Sequence, residues 1–416
     1  MKLNRANAGV SKLPIRIVHL GVGAFHRAHQ VWYTQNVDQE KEWGIAAFTG
    51  QNAKMAEDLS DQDCLFTLIT RDSVGDTFTL MNQISVAKDI NEPNALIECL
   101  RDPNVVLVTL TITEAGYTTQ TDGILHKLAL GIEERRISNG EPLTIISCDN
   151  LSSNGAITRR LLIELAMSDQ YLKFLEEKVG FISTSVDRIT PQATAGDVRI
   201  VAEEFHWNDA IPVVTEPFSS WVLSGEFRTK RPSWELSGAQ FVDEIEVYEN
   251  RKLWLLNGAH SYLAYRGLNQ GFEFVAEAIA DPAIRTEVKS LWAESAQFID
   301  LDLEDYTDAL LGRFENGRLS YRLSQIAIDG SLKLKMRCSE VVKRQLMHDR
   351  DPISYSRLFA EWIRYLRMYD YQDSQRNNLK ACVTVADYIK LVDEELIKFP
   401  RFISAIESHL MLNSNQ

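Results

Sequence analysis

The stretch Ile15-Arg16-Ile17-Val18-His19-Leu20-Gly21-Val22-Gly23-Ala24-Phe25-His26-Arg27-Ala28-His29-Gln30 runs from a short apolar segment through a glycine turn into a segment of helical character. Strand, glycine turn and helix in that order form the opening of a dinucleotide-binding unit. Gly21 permits the tight turn, Gly23 lets backbone approach a pyrophosphate, and the amides of the following helix present the positive end that holds it. The third position of the usual G-x-G-x-x-G is His26 here. A glycine there normally allows close contact between helix and strand, so the substitution weakens the generic match.

Outward from that turn, further buried-strand candidates recur among helical stretches at residues 44–48, 105–110, 143–147, 181–186 and 211–215. Alternation of this kind predicts an α/β fold whose N-terminal part is a Rossmann-type doubly wound sheet with covering helices. After about Phe241 the pattern changes to long amphipathic segments, among them residues 257–265, 285–298 and 353–366, with few strand signals. That change predicts a mainly α-helical C-terminal domain. The expected division is a dinucleotide-binding domain at residues 1–240 and a helical substrate or catalytic domain at residues 241–416, with residues 228–234, rich in Lys, Arg and Pro, as the linker candidate. No internal repeat or low-complexity stretch interrupts the pattern.

With 416 residues, 45% of them hydrophobic, the chain can bury large cores. Its net charge of −14 and its lack of Lys/Arg runs argue against a nucleic-acid partner. No apolar run is long enough to cross a membrane, and Met1-Lys2-Leu3-Asn4-Arg5 lacks the apolar core of a signal peptide, so the cytoplasm is the expected compartment. Cys64, Cys99, Cys148, Cys338 and Cys382 are odd in number, scattered and without a C-x-x-C pair, which reads as reduced core thiols. His26 and His29 lie three apart with no evident third ligand, so no metal is expected.

A second stretch, Lys252-Leu-Trp-Leu-Leu-Asn257-Gly-Ala-His260, sets a proton acceptor, an amide donor and an imidazole at offsets of five and eight residues. On an α-helix Asn257 would stand roughly 140° and His260 roughly 80° from Lys252, so all three could line one wall of a pocket. Leu253, Trp254, Leu255 and Leu256 surround the lysine with apolar neighbours. Such a setting disfavours the cation and makes the neutral amine usable as a general base near neutral pH, which is the chemistry of alcohol oxidation without a metal. The bland alternative is a partly buried amphipathic helix with three polar residues at its margin.

The patterns G-x-G-x-F-H-R-A-H-Q at residues 21–30 and K-x-x-x-x-N-x-x-H at residues 252–260 are joined by further matches in chain order. These are Thr111-Ile112-Thr113-Glu114-Ala115-Gly116-Tyr117, Ser147-Cys148-Asp149-Asn150, Val186-Asp187-Arg188-Ile189, Glu216-Pro217-Phe218 and Asp329-Gly330-Ser331-Leu332-Lys333. Together they resemble the polyol-specific long-chain dehydrogenases, the mannitol dehydrogenase family, over nearly the whole chain. Residues 231–242 look most like the mannonate oxidoreductases, or fructuronate reductases, within it.

The resemblance implies a metal-independent, NAD-dependent secondary-alcohol dehydrogenase with Lys252 as general acid/base. Asn257 would hold the developing alkoxide, Asn150 would be a second donor, and Asn154 is a lower-placed alternative to it. His260 would orient a vicinal hydroxyl. Asp187 would support the site by pairing with a lysine or with Arg188, and Glu249 would relay the proton to water beside the substrate. Lys333, assisted by Arg337, would contact the distal hydroxyls or carboxylate, although the family's usual proline at 335 is Lys335 here. The cofactor set is Gly21, Gly23, Ala24, Phe25, His26, Arg27, Thr113 and Glu114. The second strand carries no acid before Glu57 and no arginine for a 2′-phosphate, only Lys54, so NAD is expected with NADP open. The expected partner is a small sugar acid or polyol, bound by a monomer or small homo-oligomer. D-mannonate/D-fructuronate is the first choice of substrate pair and a mannitol- or arabinitol-type polyol the second. A non-catalytic NAD-binding sensor and an oxidative decarboxylase of β-hydroxy acids are the readings of other classes.

Overall fold

Short apolar runs separated by helices have one economical arrangement, a parallel sheet buried on both faces, and the computed structural model of the chain takes it. It describes residues 1–50 and 52–412. The strands, in chain order, are β1 (Ile15–Leu20), β2 (Gly44–Phe48), β3 (Phe66–Arg71), β4 (Asp76–Met81), β5 (Ile84–Lys88), β6 (Leu107–Leu110), β7 (Leu143–Ser147), β8 (Val179–Asp187), β9 (Val213–Thr215), β10 (Ser220–Ser224) and β11 (Gln240–Phe241). Among the described residues, eight of them form one sheet in the order β11-β10-β8-β7-β6-β1-β2-β5. From β5 to β8 every pairing is parallel, and β10 adds antiparallel to β8.

Period-two alternation divides each buried strand between two cores. Ile17, Ile45, Leu107 and Ile146 join the apolar cluster on one face, while Val18, Ala46, Val108 and Ile145 join the cluster on the other. Because β2 and β5 lie on one side of β1 and β6 on the other, the sheet reverses its winding between β1 and β6. Ligands of such sheets bind beyond the carboxyl ends of the strands at that reversal.

Residues 211–215 supply β9, but it pairs with β3 in a separate three-stranded sheet, β4-β3-β9, and not with the parallel run. Residues 228–234 are not a linker. Trp234 is 1% exposed and donates its indole N–H to the Thr34 hydroxyl at 3.1 Å, and the Arg231 guanidinium lies 3.7 Å from the centroid of the Phe241 ring. That segment is packed into the first of the two compact units, Met1–Glu246 and Val247–Gln416.

The second unit is helical. The helix Gly258–Asn269 is buried on nearly every side. Around it pack Pro282–Ala296, Gly330–Met347 and Ile353–Met368, with a core that includes Tyr262, Leu263, Leu291, Leu334, Leu358 and Trp362. All five cysteines are free thiols. Cys64, Cys148 and Cys338 are buried, whereas Cys99 and Cys382 are only half-buried and so are not core residues in the sense expected.

Candidate active site

In the first unit the glycine turn occupies the reversal point of the sheet. Gly21 has φ +99°, and a Cβ placed there would lie 2.0 Å from the carbonyl oxygen of Thr111, so no larger residue fits the turn. The amides of Gly21 and Val22 both donate to the Phe48 carbonyl at 2.9 Å. The Thr111 hydroxyl donates to the Gly21 carbonyl at 2.9 Å, tying the β1 turn to the loop after β6.

Beneath the turn, the His19 ring lies 2.8 Å (Nδ1) from the Thr109 hydroxyl and 3.0 Å (Nε2) from the Thr111 hydroxyl. Burial pushes its pKa down to about 3, so the ring is neutral. Thr111 has given its one proton to Gly21, so Nε2–H donates to Thr111 and Nδ1 accepts from Thr109, a tautomer fixed by the network.

A cavity of about 630 Å³ opens at the turn, lined by Gly21, Val22, Gly50, Asn52, Asn91 and Thr111 among others. Its size falls in the range of cofactor sites, roughly 300–1,000 Å³. Of the expected cofactor residues, Gly21 and Thr113 line it, and Gly23, Ala24, Phe25 and Glu114 fall outside its lining. His26 and Arg27 are turned inward. The His26 ring stacks on His19 with centroids 3.3 Å apart. Arg27 donates to the Ile211 and Gly23 carbonyls at 2.5 and 3.3 Å and lies over Phe66. Both hold the turn from behind, which is what the departure from a third glycine brings. Lys54 pairs with Asp58 at 2.5 Å, whereas the cation on the cavity wall is Lys127, its Nζ 2.5 Å from the Asn91 side-chain oxygen.

The loop after β6 is held by a residue that the sequence reading passed over. Thr113 has φ +60° and ψ +167°, a conformation costly for a β-branched residue. The Asp149 carboxylate, at the end of β7, accepts the amides of Ile112 (3.0 Å) and Thr113 (2.8 Å) and the Tyr117 hydroxyl (2.9 Å). Burial pushes the Asp149 carboxyl up, and these bonds oppose that shift.

Its neighbour Asn150 is exposed at the same strand end. Asn154 cannot serve as an oxyanion donor. It is fully buried, its amide donates to the Asp149 and Thr184 carbonyls at 2.8 Å each, and its oxygen accepts the Thr184 amide at 2.9 Å. Asp187 closes β8 opposite Ser220. Of the two partners expected for it, Arg188 is committed elsewhere, to the carbonyls of Ala28 (2.6 Å) and Glu216 (3.1 and 3.2 Å) and to the face of Trp32. Burial lowers that guanidinium to about 10.

In the second unit the Lys252 motif is not α-helical as expected. Lys252–Asn257 is a π-helix, following the helix Glu246–Arg251 that carries Glu249. The Gly258 amide reaches back five residues to the Leu253 carbonyl. In a helix bonded i to i+5, the fifth residue on overshoots a full turn by roughly 50°, so Asn257 stands on the same face as Lys252 instead of roughly 140° away. His260 follows in the helix Gly258–Asn269, 7% exposed, its ring between those of Phe314 and Tyr321 at 5.1 and 5.3 Å.

Lys333 and Arg337 lie one turn apart on the helix Gly330–Met347. Lys335 is exposed on that helix, whose interior a proline would break. Arg337 donates to the Asn257 carbonyl at 3.2 Å and the Ser261 hydroxyl at 3.0 Å, and Lys333 to the Ile326 carbonyl at 3.0 Å. Burial lowers both, and Arg337 further lowers Lys333. Neither forms an ion pair with a carboxylate among the described residues, although Asp329 and Asp373 act on Lys333 from further off and partly offset its lowering.

Residues 15–236 match the mannitol dehydrogenase Rossmann domain and residues 244–407 the mannitol dehydrogenase C-terminal domain. The chain belongs to the mannitol dehydrogenase family. Among relatives of this mannitol dehydrogenase family member, D-mannonate oxidoreductase of Escherichia coli is 32% identical over 398 residues, covering 87% of this chain and 82% of that protein. Mannitol dehydrogenase DSF1 of Saccharomyces cerevisiae is 32% identical over 417 residues, covering 88% and 82%. The structure of Pseudomonas fluorescens mannitol 2-dehydrogenase in a ternary complex with NAD and D-mannitol superposes with a TM-score of 0.82 at 28% identity, over 99% of this chain and 96% of that one. Among the described residues of this family member, no group of three or more His, Cys, Asp or Glu could hold a metal ion, and no helix is long and apolar enough to cross a membrane.

Proposed function

We propose that this mannitol dehydrogenase family oxidoreductase interconverts D-mannonate and D-fructuronate with NAD, the first unit binding the dinucleotide and the second the sugar acid. One observation carries the choice of a sugar acid over a neutral polyol. Two cations, Lys333 and Arg337, share a helix face with no carboxylate in ion-pair contact among the described residues, Asp329 and Asp373 acting on Lys333 only from further off, and Arg337 is bonded to the backbone of Asn257 itself. Two such like charges are costly to hold together unless an anion joins them. The D-mannonate oxidoreductase relative supports a sugar acid and the NAD complex supports the dinucleotide, whereas the D-mannitol in that complex supports the neutral polyol as the second reading.

Gly21, Thr113 and the cavity walls around them suit a dinucleotide. When bound, it supplies the hydride acceptor. Lys252 takes the proton of the reacting hydroxyl and returns it in the reverse direction. Asn257, brought to its side by the π-helix, and Asn150 donate to the developing alkoxide, each such donor being worth on the order of 2–4 kcal/mol of barrier. His260, wedged between aromatic rings, orients a neighbouring hydroxyl. Asp187 and Glu249 support the proton transfer.

The test is NADH oxidation with fructuronate, tagaturonate, fructose and xylulose, repeated with NADPH, for the wild type and Lys252→Ala. Turnover with fructuronate that collapses at least about 10³-fold in Lys252→Ala, while NADH still binds, is the expected result. Turnover confined to a neutral ketose would remove the sugar-acid assignment. Full activity of Lys252→Ala would remove the proposed base, and NADH binding without turnover of any substrate would leave a sensor.

A further inference from the structure

A widened turn inside a helix needs something to hold it open, since the same residues could close into the ordinary i to i+4 ladder. The Leu255 carbonyl lies in the middle of the widened turn, in contact with the Gly258 amide three residues on. It also accepts a bond from outside the helix. The Trp292 indole N–H, on the helix Pro282–Ala296, donates to it at 2.9 Å in buried surroundings. We propose that Trp292 is a positioning residue for the reaction, its indole N–H holding the π-helix open so that Lys252 and Asn257 stay on one side.

Without that bond the turn can relax to α-helical register, which swings Asn257 to roughly 140° from Lys252. The effect on turnover depends on the roles proposed above for Lys252 and Asn257, while the effect on the turn does not. A purely packing role for Trp292 makes a different prediction, and the same core contains the control. Trp362 is 0% exposed, and its Nε1 has no hydrogen-bond partner among the described residues. Trp→Phe removes the same atoms at both positions, but only at 292 does it remove a bond to the backbone.

The experiment compares Trp292→Phe and Trp362→Phe by steady-state kinetics, thermal unfolding and amide hydrogen exchange of the peptide spanning residues 252–262. Trp292→Phe should lower kcat about tenfold or more with the KM for NADH within about twofold. It should also speed exchange across the widened turn about tenfold. Trp362→Phe should leave both near wild type while lowering the unfolding temperature by a similar amount. Benzothienylalanine at position 292 replaces the N–H by sulfur and keeps the ring, so it should reproduce the kinetic and exchange changes without repacking. Identical behaviour of the two Phe variants in rate and exchange overturns the proposal. Faster exchange with unchanged kcat overturns the roles given to Lys252 and Asn257 and retains Trp292 as the prop of the turn.

Discussion

Gly21 and Gly23 stand two residues apart and do different work, which makes them separable by substitution. An alanine Cβ at Gly21 meets the Thr111 carbonyl at 2.0 Å and takes up φ +99°. Gly21→Ala is therefore expected to cost at least about 2 kcal/mol and lower the unfolding temperature by several degrees. At Gly23 the backbone is extended, and the nearest atom to a new Cβ is 3.9 Å away. Gly23→Ala should unfold at the wild-type temperature yet weaken NADH about tenfold or more in a fluorescence titration, because only a bound pyrophosphate would meet the added methyl. Wild-type NADH affinity in Gly23→Ala would place the pyrophosphate elsewhere. The role of Gly21 was legible in the sequence, since a tight turn between strand and helix demands it. The inward roles of His26 and Arg27 were not, because a motif gives an order of residues and not the direction of their side chains.

The loop after β6 depends on a single carboxylate. Asp149 takes two amides and a hydroxyl, and in doing so keeps Thr113 in its strained conformation on the cavity wall. Asp149→Asn substitutes an NH₂ for one acceptor and discharges the other, at a cost of about 1–3 kcal/mol. The KM for NADH should rise about tenfold and the unfolding temperature fall, and an unchanged KM would show that the loop is held by other bonds. Nothing in Ser147-Cys148-Asp149-Asn150 distinguishes the acid that braces the loop from the amide that faces outward, since the distinction depends on which loop amides lie opposite. The π-helix was hidden for a related reason. Residues 252–257 read equally well as α-helix, and the bond that coincides with the wider turn comes from Trp292, 37 residues on. By contrast, β1, β2 and β7 coincide with the apolar runs at 15–20, 44–48 and 143–147, because strands buried on both faces leave an unbroken signature. The half-exposed β4, Asp76-Thr77-Phe78-Thr79-Leu80-Met81, alternates instead and went unread beside the stronger runs.

At the scale of the molecule, the first unit encloses histidines that it keeps uncharged. Burial holds His19 near 3 and His26 well below the ordinary imidazole value of 6.5. Both take up a proton more readily when unfolded. Their contribution to stability is thus fully present above about pH 6.5 and is lost as pH falls toward 3, at up to about 1.4 kcal/mol per pH unit for each ring. Urea midpoints should fall between about pH 7.5 and 5, and His19→Gln should show a shallower fall; an equal slope in the variant would remove His19 as the cause. The division into a sheet unit and a helical unit followed from the change of pattern near Phe241, although residues 228–234, polar and proline-bearing, proved to be packed into the first unit. Cys148 lies in that first unit and Cys338 in the second, each sealed from solvent, with the Cys338 thiol pushed up to about 12 and that of Cys148 higher still. Neither sulfur can be alkylated or oxidised while its own unit stays closed, so each half of the molecule carries an internal stopwatch that starts only when that half opens.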